Sequence, residues 1–142
     1  MTHVPMASIL LVDDDDGLRT LFADALRSAG HTVDAAGDGK TGLALYTTGQ
    51  HDLVITDIVM PDMDGLRFLE CLRDFDRQPR VIAMSGASKL SVPLYLSTAR
   101  QLGAVRVLAK PIEYRVLLQT VTEVLVRAAP AQSARRPGKD GL

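Results

Sequence analysis

Short apolar runs alternate along the chain with segments whose apolar residues recur at helical spacing. The first run, Ser8 to Val12, stops at four consecutive aspartates. A short continuous apolar run of this kind is typical of a strand that is buried on both faces. Similar runs cover residues 53–56, 81–84 and 105–109, and a weaker one covers residues 32–35. The pattern predicts five strands.

The segments between these runs show the spacing of amphipathic helices. The clearest apolar stripe consists of Leu18, Leu21, Phe22, Ala25, Leu26 and Ala29, and Gly30 follows it as a helix C-cap would. Two further stripes fall within residues 68–75 and 117–128. Residues 38–48 and 91–102 are less regular, but Asp38 and Ser91 are suitable N-cap residues for helices there.

Alternation of five strands with five helices predicts the fold class. Consecutive parallel strands are joined by right-handed crossover helices, which cover both faces of the sheet. We therefore expect an α/β fold of the doubly wound type, with an open parallel sheet.

Length and composition indicate one domain. The chain has 142 residues, of which 46% are hydrophobic and 23% charged, enough for one ordinary core. We place this domain at residues 1–129. Residues 130–142 lack periodicity and are rich in Pro, Gly and charge, so we expect a flexible C-terminal tail. From the composition and the length we expect no DNA-binding output domain.

Charge and cysteine content narrow the choice of partners and compartment. A net charge of −1 provides no strong field for nucleic acid or an anionic membrane surface. No apolar stretch approaches the roughly 20 residues that span a bilayer. The single cysteine, Cys71, cannot form an internal disulfide. We expect a soluble, cytoplasmic protein that binds neither nucleic acid nor membrane.

Five polar residues follow or end the predicted strands. They are Asp13, Asp14, Asp57, Ser85 and Lys110. In an open parallel sheet the carboxyl ends of the strands share one edge, and ligands bind there. We therefore expect these side chains to converge.

Three carboxylates at one edge repel one another unless a cation lies among them. Oxygen ligands favour a hard ion such as Mg²⁺. Such an ion shields the carboxylates from an approaching phosphoryl group, so that Asp57 can act as a nucleophile. Lys110 and the Ser85 hydroxyl would then contact phosphoryl oxygens. Asp15 and Asp16, in contrast, are interpreted as solvated residues at the start of the first helix.

Four blocks of sequence resemble the signature blocks of bacterial response-regulator receiver domains. They are residues 9–15, 52–65, 81–86 and 109–111. Each block alone is weak evidence for the family, but four blocks in the right order at strand ends are a specific signal. The resemblance covers residues 7–127.

The resemblance implies a flavodoxin-like, CheY-like (βα)5 fold with strand order 2-1-3-4-5. It implies that Asp57 is the phosphoacceptor and that Asp13, Asp14 and the backbone carbonyl of Val59 surround Mg²⁺. Asp14 and Asp57 would be direct ligands, whereas Asp13 would act largely through water. The Lys110–Pro111 peptide bond would be cis.

The resemblance also implies the class of partner. A histidine kinase or a histidine phosphotransfer protein would donate the phosphoryl group, since no histidine of this chain is placed at the site. The chain would catalyse only its own phosphorylation and dephosphorylation, as a monomer or a weak homodimer. A downstream protein partner would bind the fourth helix, the fifth strand and the last helix.

Three alternatives differ from this interpretation. A degenerate receiver would bind partners without being phosphorylated. An aspartate-dependent phosphohydrolase usually carries a second aspartate two residues after the nucleophile, where this chain has Val59. A flavodoxin-like cofactor binder needs a phosphate-binding loop after the first strand, where this chain has four aspartates.

One residue departs from the family pattern. Receivers usually carry Tyr or Phe on the fifth strand three residues before the lysine, and this chain has Val107. A branched aliphatic side chain has few rotamers and little reach. We expect a smaller rearrangement on phosphorylation, centred on the loop after Ser85 and on Leu90, Leu94, Tyr95 and Leu96 of the next helix.

Overall fold

The computed structural model describes residues 6–58, 60, 65–86 and 92–140, the side chains of 92–96 and 128–140 excepted. The strands are β1 (Ser8–Val12), β2 (Thr32–Ala36), β3 (Leu53–Asp57), β4 (Arg80–Ser85) and β5 (Arg106–Ala109). The helices are α1 (Asp16–Ser28), α2 (Gly39–Gly49), α3 (Gly65–Leu72), α4 (Val92–Gln101) and α5 (Tyr114–Asp140).

The strands form one parallel sheet in the order β2-β1-β3-β4-β5. This arrangement confirms the predicted α/β class and the strand order. The strand order reverses at β1, because β2 lies on one side of β1 and β3 on the other. A crevice at the carboxyl ends of β1 and β3 follows from that reversal, and it is where ligands of such sheets bind.

Alternate residues of each central strand enter different cores. Ile9 and Leu11 of β1 face one apolar cluster with residues of α1 and α5. Leu10 and Val12 face a second cluster with residues of α2 and α3. All four are fully buried. Burial on both faces explains why β1 has a continuous apolar sequence instead of an alternating one.

Aspartates cap the N-termini of α1 and α2, and the predicted cap at Asp38 is confirmed. The Asp15 side chain accepts a hydrogen bond from the backbone N–H of Leu18 at 3.0 Å. Asp38 accepts one from the N–H of Thr41 at 2.7 Å. Asp15 is therefore a helix cap. Ser91, the predicted cap of α4, lies outside the described residues, as do the side chains of Leu90, Leu94, Tyr95 and Leu96.

Helix α5 continues to Asp140, past the predicted domain boundary at Ala129. The backbone is thus helical over part of the segment that we expected to be an irregular tail. Its independence from the domain stays a prediction. Within the described residues, no helix has both the length and the apolar character needed to cross a membrane.

Candidate functional site

Four of the predicted site residues meet at the carboxyl edge of the sheet. Asp13 and Asp14 follow β1, Asp57 ends β3 and Lys110 follows β5. One oxygen from each of Asp13, Asp14 and Asp57 lies within 4.8 Å of the others. The three carboxylates come from strands that are adjacent in the sheet, so the predicted convergence is confirmed for these residues.

Lys110 joins two of these carboxylates. Its Nζ lies 2.9 Å from Asp13 Oδ2 and 3.1 Å from Asp57 Oδ2. Burial lowers the pKa of Lys110, but hydrogen bonds and charge attraction from Asp13 and Asp57 outweigh that effect and raise the pKa above its ordinary value. The ammonium group is therefore charged at neutral pH. The Lys110–Pro111 bond is cis, as the family resemblance implies.

Asp13 is held by hydrogen bonds to both carboxylate oxygens. Oδ2 accepts from Lys110, and Oδ1 accepts from the backbone N–H of Asp15 at 2.9 Å. The residue is fully buried. A carboxylate engaged at both oxygens is better suited to a water-mediated contact with a metal than to direct coordination.

Asp14 differs sharply from its neighbour because it is exposed. An octahedral Mg²⁺ has ligands at about 2.1 Å, so opposite ligands lie about 4.2 Å apart. The spread of the three carboxylates, within 4.8 Å, therefore suits one ion with a bridging water at Asp13. Oxygen-only donors also match the preference of Mg²⁺. Val59, whose carbonyl was the fourth predicted ligand, lies outside the described residues.

Ser85 ends β4 beside the site. Asp57 pairs with Met84 in the sheet register, and Ser85 is the next residue along β4. Ser85 is 1% exposed, and its carbonyl accepts a hydrogen bond from the N–H of Lys110 at 2.8 Å. This hydrogen bond holds the backbone of Lys110, just after β5, against the end of β4.

Sequence reasoning missed three residues that shape the site. The Thr56 hydroxyl donates to the Asp57 carbonyl at 2.9 Å. Gly65 lies against the Asp57 carbonyl and Ile58 so closely that any side chain would clash with that backbone. Arg19 donates from Nη1 to the Asp13 carbonyl at 2.8 Å. A polar Thr in an apolar strand was a visible signal, whereas the roles of Gly65 and Arg19 depend on contacts between distant segments.

The two described histidines, His31 and His51, precede β2 and β3 and so lie at the opposite edge of the sheet, in agreement with the expectation that no histidine is placed at the site. His31 Nδ1 accepts a hydrogen bond from the N–H of Ala7, which precedes β1, at 3.1 Å. His51 Nε2 lies 2.7 Å from Asp34 Oδ2. Both rings are buried among structural partners and do not face the carboxylates.

Comparison with known proteins agrees with this geometry. Residues 9–122 match the family model described as the response regulator receiver domain. The chain belongs to this family. A receiver of this kind is a signalling domain of two-component systems.

Receiver proteins of known sequence and structure show similarity over most of the chain. The probable chemotaxis protein CheY of Rhizobium etli is 38% identical over 116 residues, which cover 78% of this chain and 86% of that protein. The structure of the chemotaxis response regulator CheY4 of Vibrio cholerae has 29% identity and a TM-score of 0.76, covering 84% of this chain and 99% of that one.

Longer regulators match this receiver through one part of their length. The DNA-binding transcriptional regulator NtrC of Azospirillum brasilense is 35% identical over 124 residues, which cover 87% of this chain but 25% of NtrC. The chain thus spans about a quarter of that relative's length.

Proposed function

We propose that this receiver accepts a phosphoryl group on Asp57 in a Mg²⁺-dependent reaction and thereby changes its binding to a protein partner. The observation that carries the proposal is the Lys110 ammonium, which lies 3.1 Å from Asp57 Oδ2 within a cluster of three carboxylates. A buried nucleophile, a fixed cation and an oxygen-rich metal position together match phosphoryl transfer to a carboxylate.

The transfer forms one bond and breaks another. A carboxylate oxygen of Asp57 forms a bond to phosphorus as the bond between phosphorus and a donor imidazole nitrogen breaks. The nitrogen keeps the electron pair, and Asp57 becomes an acyl phosphate. Later attack by water on phosphorus would release inorganic phosphate and restore the Asp57 carboxylate.

The chain's own residues would hold the phosphoryl group. The Lys110 ammonium would shift from the Asp57 carboxylate to a phosphoryl oxygen, while its contact with Asp13 keeps the lysine side chain in place. The Ser85 hydroxyl would donate to a second oxygen. Asp14, Asp57 and the Val59 carbonyl would hold Mg²⁺, with Asp13 acting through water. When bound, the ion supplies positive charge against the phosphoryl oxygens.

The phosphoryl donor would be a histidine kinase or a histidine phosphotransfer protein. We propose that the reaction occurs in the cytoplasm, where ATP for the kinase is available. The downstream partner would bind the face formed by α4, β5 and α5. We further propose that the chain acts as a monomer or weak homodimer.

Phosphorylation by acetyl phosphate tests the proposal. The wild-type protein should gain the mass of one phosphoryl group when Mg²⁺ is present. It should show no gain when EDTA removes the ion. Asp57→Asn should show none. Asp24→Asn is the matched control, because Asp24 is an exposed carboxylate on α1 whose side chain keeps 71% of its accessible area. Equal labelling of wild type and Asp57→Asn would refute the assignment.

An unlabelled wild-type protein would favour the degenerate receiver instead. The test should therefore be repeated with a panel of histidine kinases and phosphotransfer proteins. The geometry argues for labelling, because the acceptor carboxylate and the lysine are in contact.

A further inference from the structure

Arg19 contacts both ends of the loop that carries the exposed carboxylate of the site. This arginine lies in the first turn of α1. Its Nη1 donates to the Asp13 carbonyl at 2.8 Å, and its Nη2 donates to Asp16 Oδ1 at 2.6 Å. One planar guanidinium thus spans the segment between β1 and α1, with Asp14 lying between its two contacts.

The contact with Asp13 fixes a peptide plane rather than a carboxylate. The Asp13 carbonyl belongs to the peptide bond that leads into Asp14. On the preceding side, the Asp13 N–H donates to the Ala36 carbonyl at 3.1 Å. Within the described part of the chain, no hydrogen bond to the exposed Asp14 carboxylate is found. The backbone that Arg19 holds therefore fixes the position from which the Asp14 side chain extends.

The loop after β2 closes over the arginine. A Cβ added at Gly37 would lie 3.1 Å from Arg19 Nη1 and 3.5 Å from its Cζ. That packing limits the movement of the guanidinium. Arg19 is also partly shielded from solvent, with a side-chain exposure of 22%.

The position of Arg19 and its positive charge have opposite effects on the affinity of the site for Mg²⁺. A positive charge beside a cation site lowers cation affinity, since like charges repel. The Asp16 carboxylate offsets that charge at 2.6 Å. If repulsion dominated, removal of Arg19 would tighten Mg²⁺ binding; if orientation of Asp14 dominated, removal would weaken it.

We propose that Arg19 is a positioning residue, which holds the Asp13–Asp14 peptide so that the Asp14 carboxylate points at the Mg²⁺ position. The proposal rests on the function proposed above and deepens it. Loss of an outer contact to a metal ligand weakens metal affinity by roughly 10- to 100-fold in general. Because charge relief opposes the effect here, we expect about a tenfold weakening.

Arg19→Met tests the proposal, since methionine keeps an apolar stem and removes the charge and the donors. Arg27→Met is a matched control on the same helix. Arg27 donates to a backbone carbonyl, that of Val33, at 2.8 Å and pairs with Asp24 three residues earlier at 4.0 Å. The two changes therefore remove the same charge and a similar pair of contacts.

Titration with MgCl₂ by calorimetry gives the first measurement. The dissociation constant should rise about tenfold in Arg19→Met and stay within about twofold of wild type in Arg27→Met. Thermal unfolding should show that both variants are folded. At saturating Mg²⁺, the rate of phosphorylation of Arg19→Met by acetyl phosphate should return close to wild type, which a general distortion of the site would not allow.

Three outcomes would overturn the inference. They are an unchanged or tighter dissociation constant in Arg19→Met, an equal rise in Arg27→Met, and a phosphorylation rate that saturating Mg²⁺ does not restore. Each leaves the proposed function intact if the wild type binds Mg²⁺ and is phosphorylated. A wild type that does neither would overturn both.

Discussion

Lys110 Nζ donates to Asp57 Oδ2 at 3.1 Å although 53 residues separate the two along the chain. The same nitrogen also reaches Asp13 at 2.9 Å. One cation thus offsets part of the negative charge of two carboxylates at the carboxyl ends of neighbouring strands. The contact stabilises the folded chain and, under the function proposed above, lies where a phosphoryl oxygen would be bound.

Lys110→Met should destabilise the fold and suppress phosphorylation. Loss of one partner from a buried pair costs about 3–5 kcal/mol, and we expect about 2 kcal/mol because water reaches this site. Added Mg²⁺ should recover part of the loss, since the ion replaces the missing charge. Urea unfolding with and without MgCl₂ measures both effects. Lys40→Met, at an exposed position on α2, is the control and should change neither quantity.

Asp14→Ala should weaken Mg²⁺ binding by about tenfold or more, because it removes a carboxylate that is open to solvent and to the ion. Asp15→Ala is the matched control at the next residue. It should cost about 1 kcal/mol of stability by removing the α1 cap, yet leave Mg²⁺ affinity nearly unchanged. Calorimetric titration distinguishes them, and equal weakening in both variants would contradict the assignment of Asp14.

His31 should make the fold less stable in mild acid. Burial lowers the pKa of His31 below its ordinary value of 6.5. As pH falls through about 6.5, the unfolded chain takes up the proton first, so the contribution to stability is present above that pH and is lost below it. Protonation of Nδ1 would also break the hydrogen bond from Ala7.

Urea unfolding between pH 7.5 and 5 tests this dependence on pH. His31→Asn should flatten the decline, because the Asn carbonyl can accept from Ala7 without titrating. One proton changes the slope by at most about 1.4 kcal/mol per pH unit. Identical pH profiles of the two proteins would show that His31 is not responsible.

Val107 should limit the rearrangement that accompanies activation. The side chain is half-buried and packs against the core cluster that contains Ala83 and Val81 of β4. Beryllofluoride, a phosphoryl mimic, should therefore shift amide resonances of residues 86–108 without a large aromatic movement. Asp57→Asn is the control and should show no shifts. Changes confined to the Asp57 pocket in the wild type would contradict the expectation.

The sequence predicts the sheet because each strand and helix has its own local apolar pattern. It predicts the site because the polar residues directly follow or end the strands. Even the weak run at β2 was identified, since alternation with helices supported it. The residue pattern does not distinguish Asp13 from Asp14, which have the same side chain, and only the family resemblance implied different roles for them. Only the fold shows that Asp13 is buried with both oxygens bonded, whereas Asp14 is exposed.

The contact of Arg19 with the Asp13 carbonyl could not be predicted from the sequence either, because it depends on the fold. Arg19 had the sequence context of an ordinary solvated arginine on an amphipathic helix. Its contact with the Asp13 carbonyl depends on where α1 leaves the sheet and on the close approach of Gly37. Such contacts join segments that share no periodicity, so a pattern along one chain carries no signal for them.

The edge strand β5 is also the last strand along the chain, which has a consequence for synthesis on the ribosome. Asp13 and Asp57 leave the ribosome and can pair their strands well before Lys110, which lies 97 residues after Asp13. A nascent chain that ends before β5 would therefore bring these carboxylates together without their lysine. Mutual repulsion then opposes early closure of this edge, and the last strand to be translated supplies the charge that completes it.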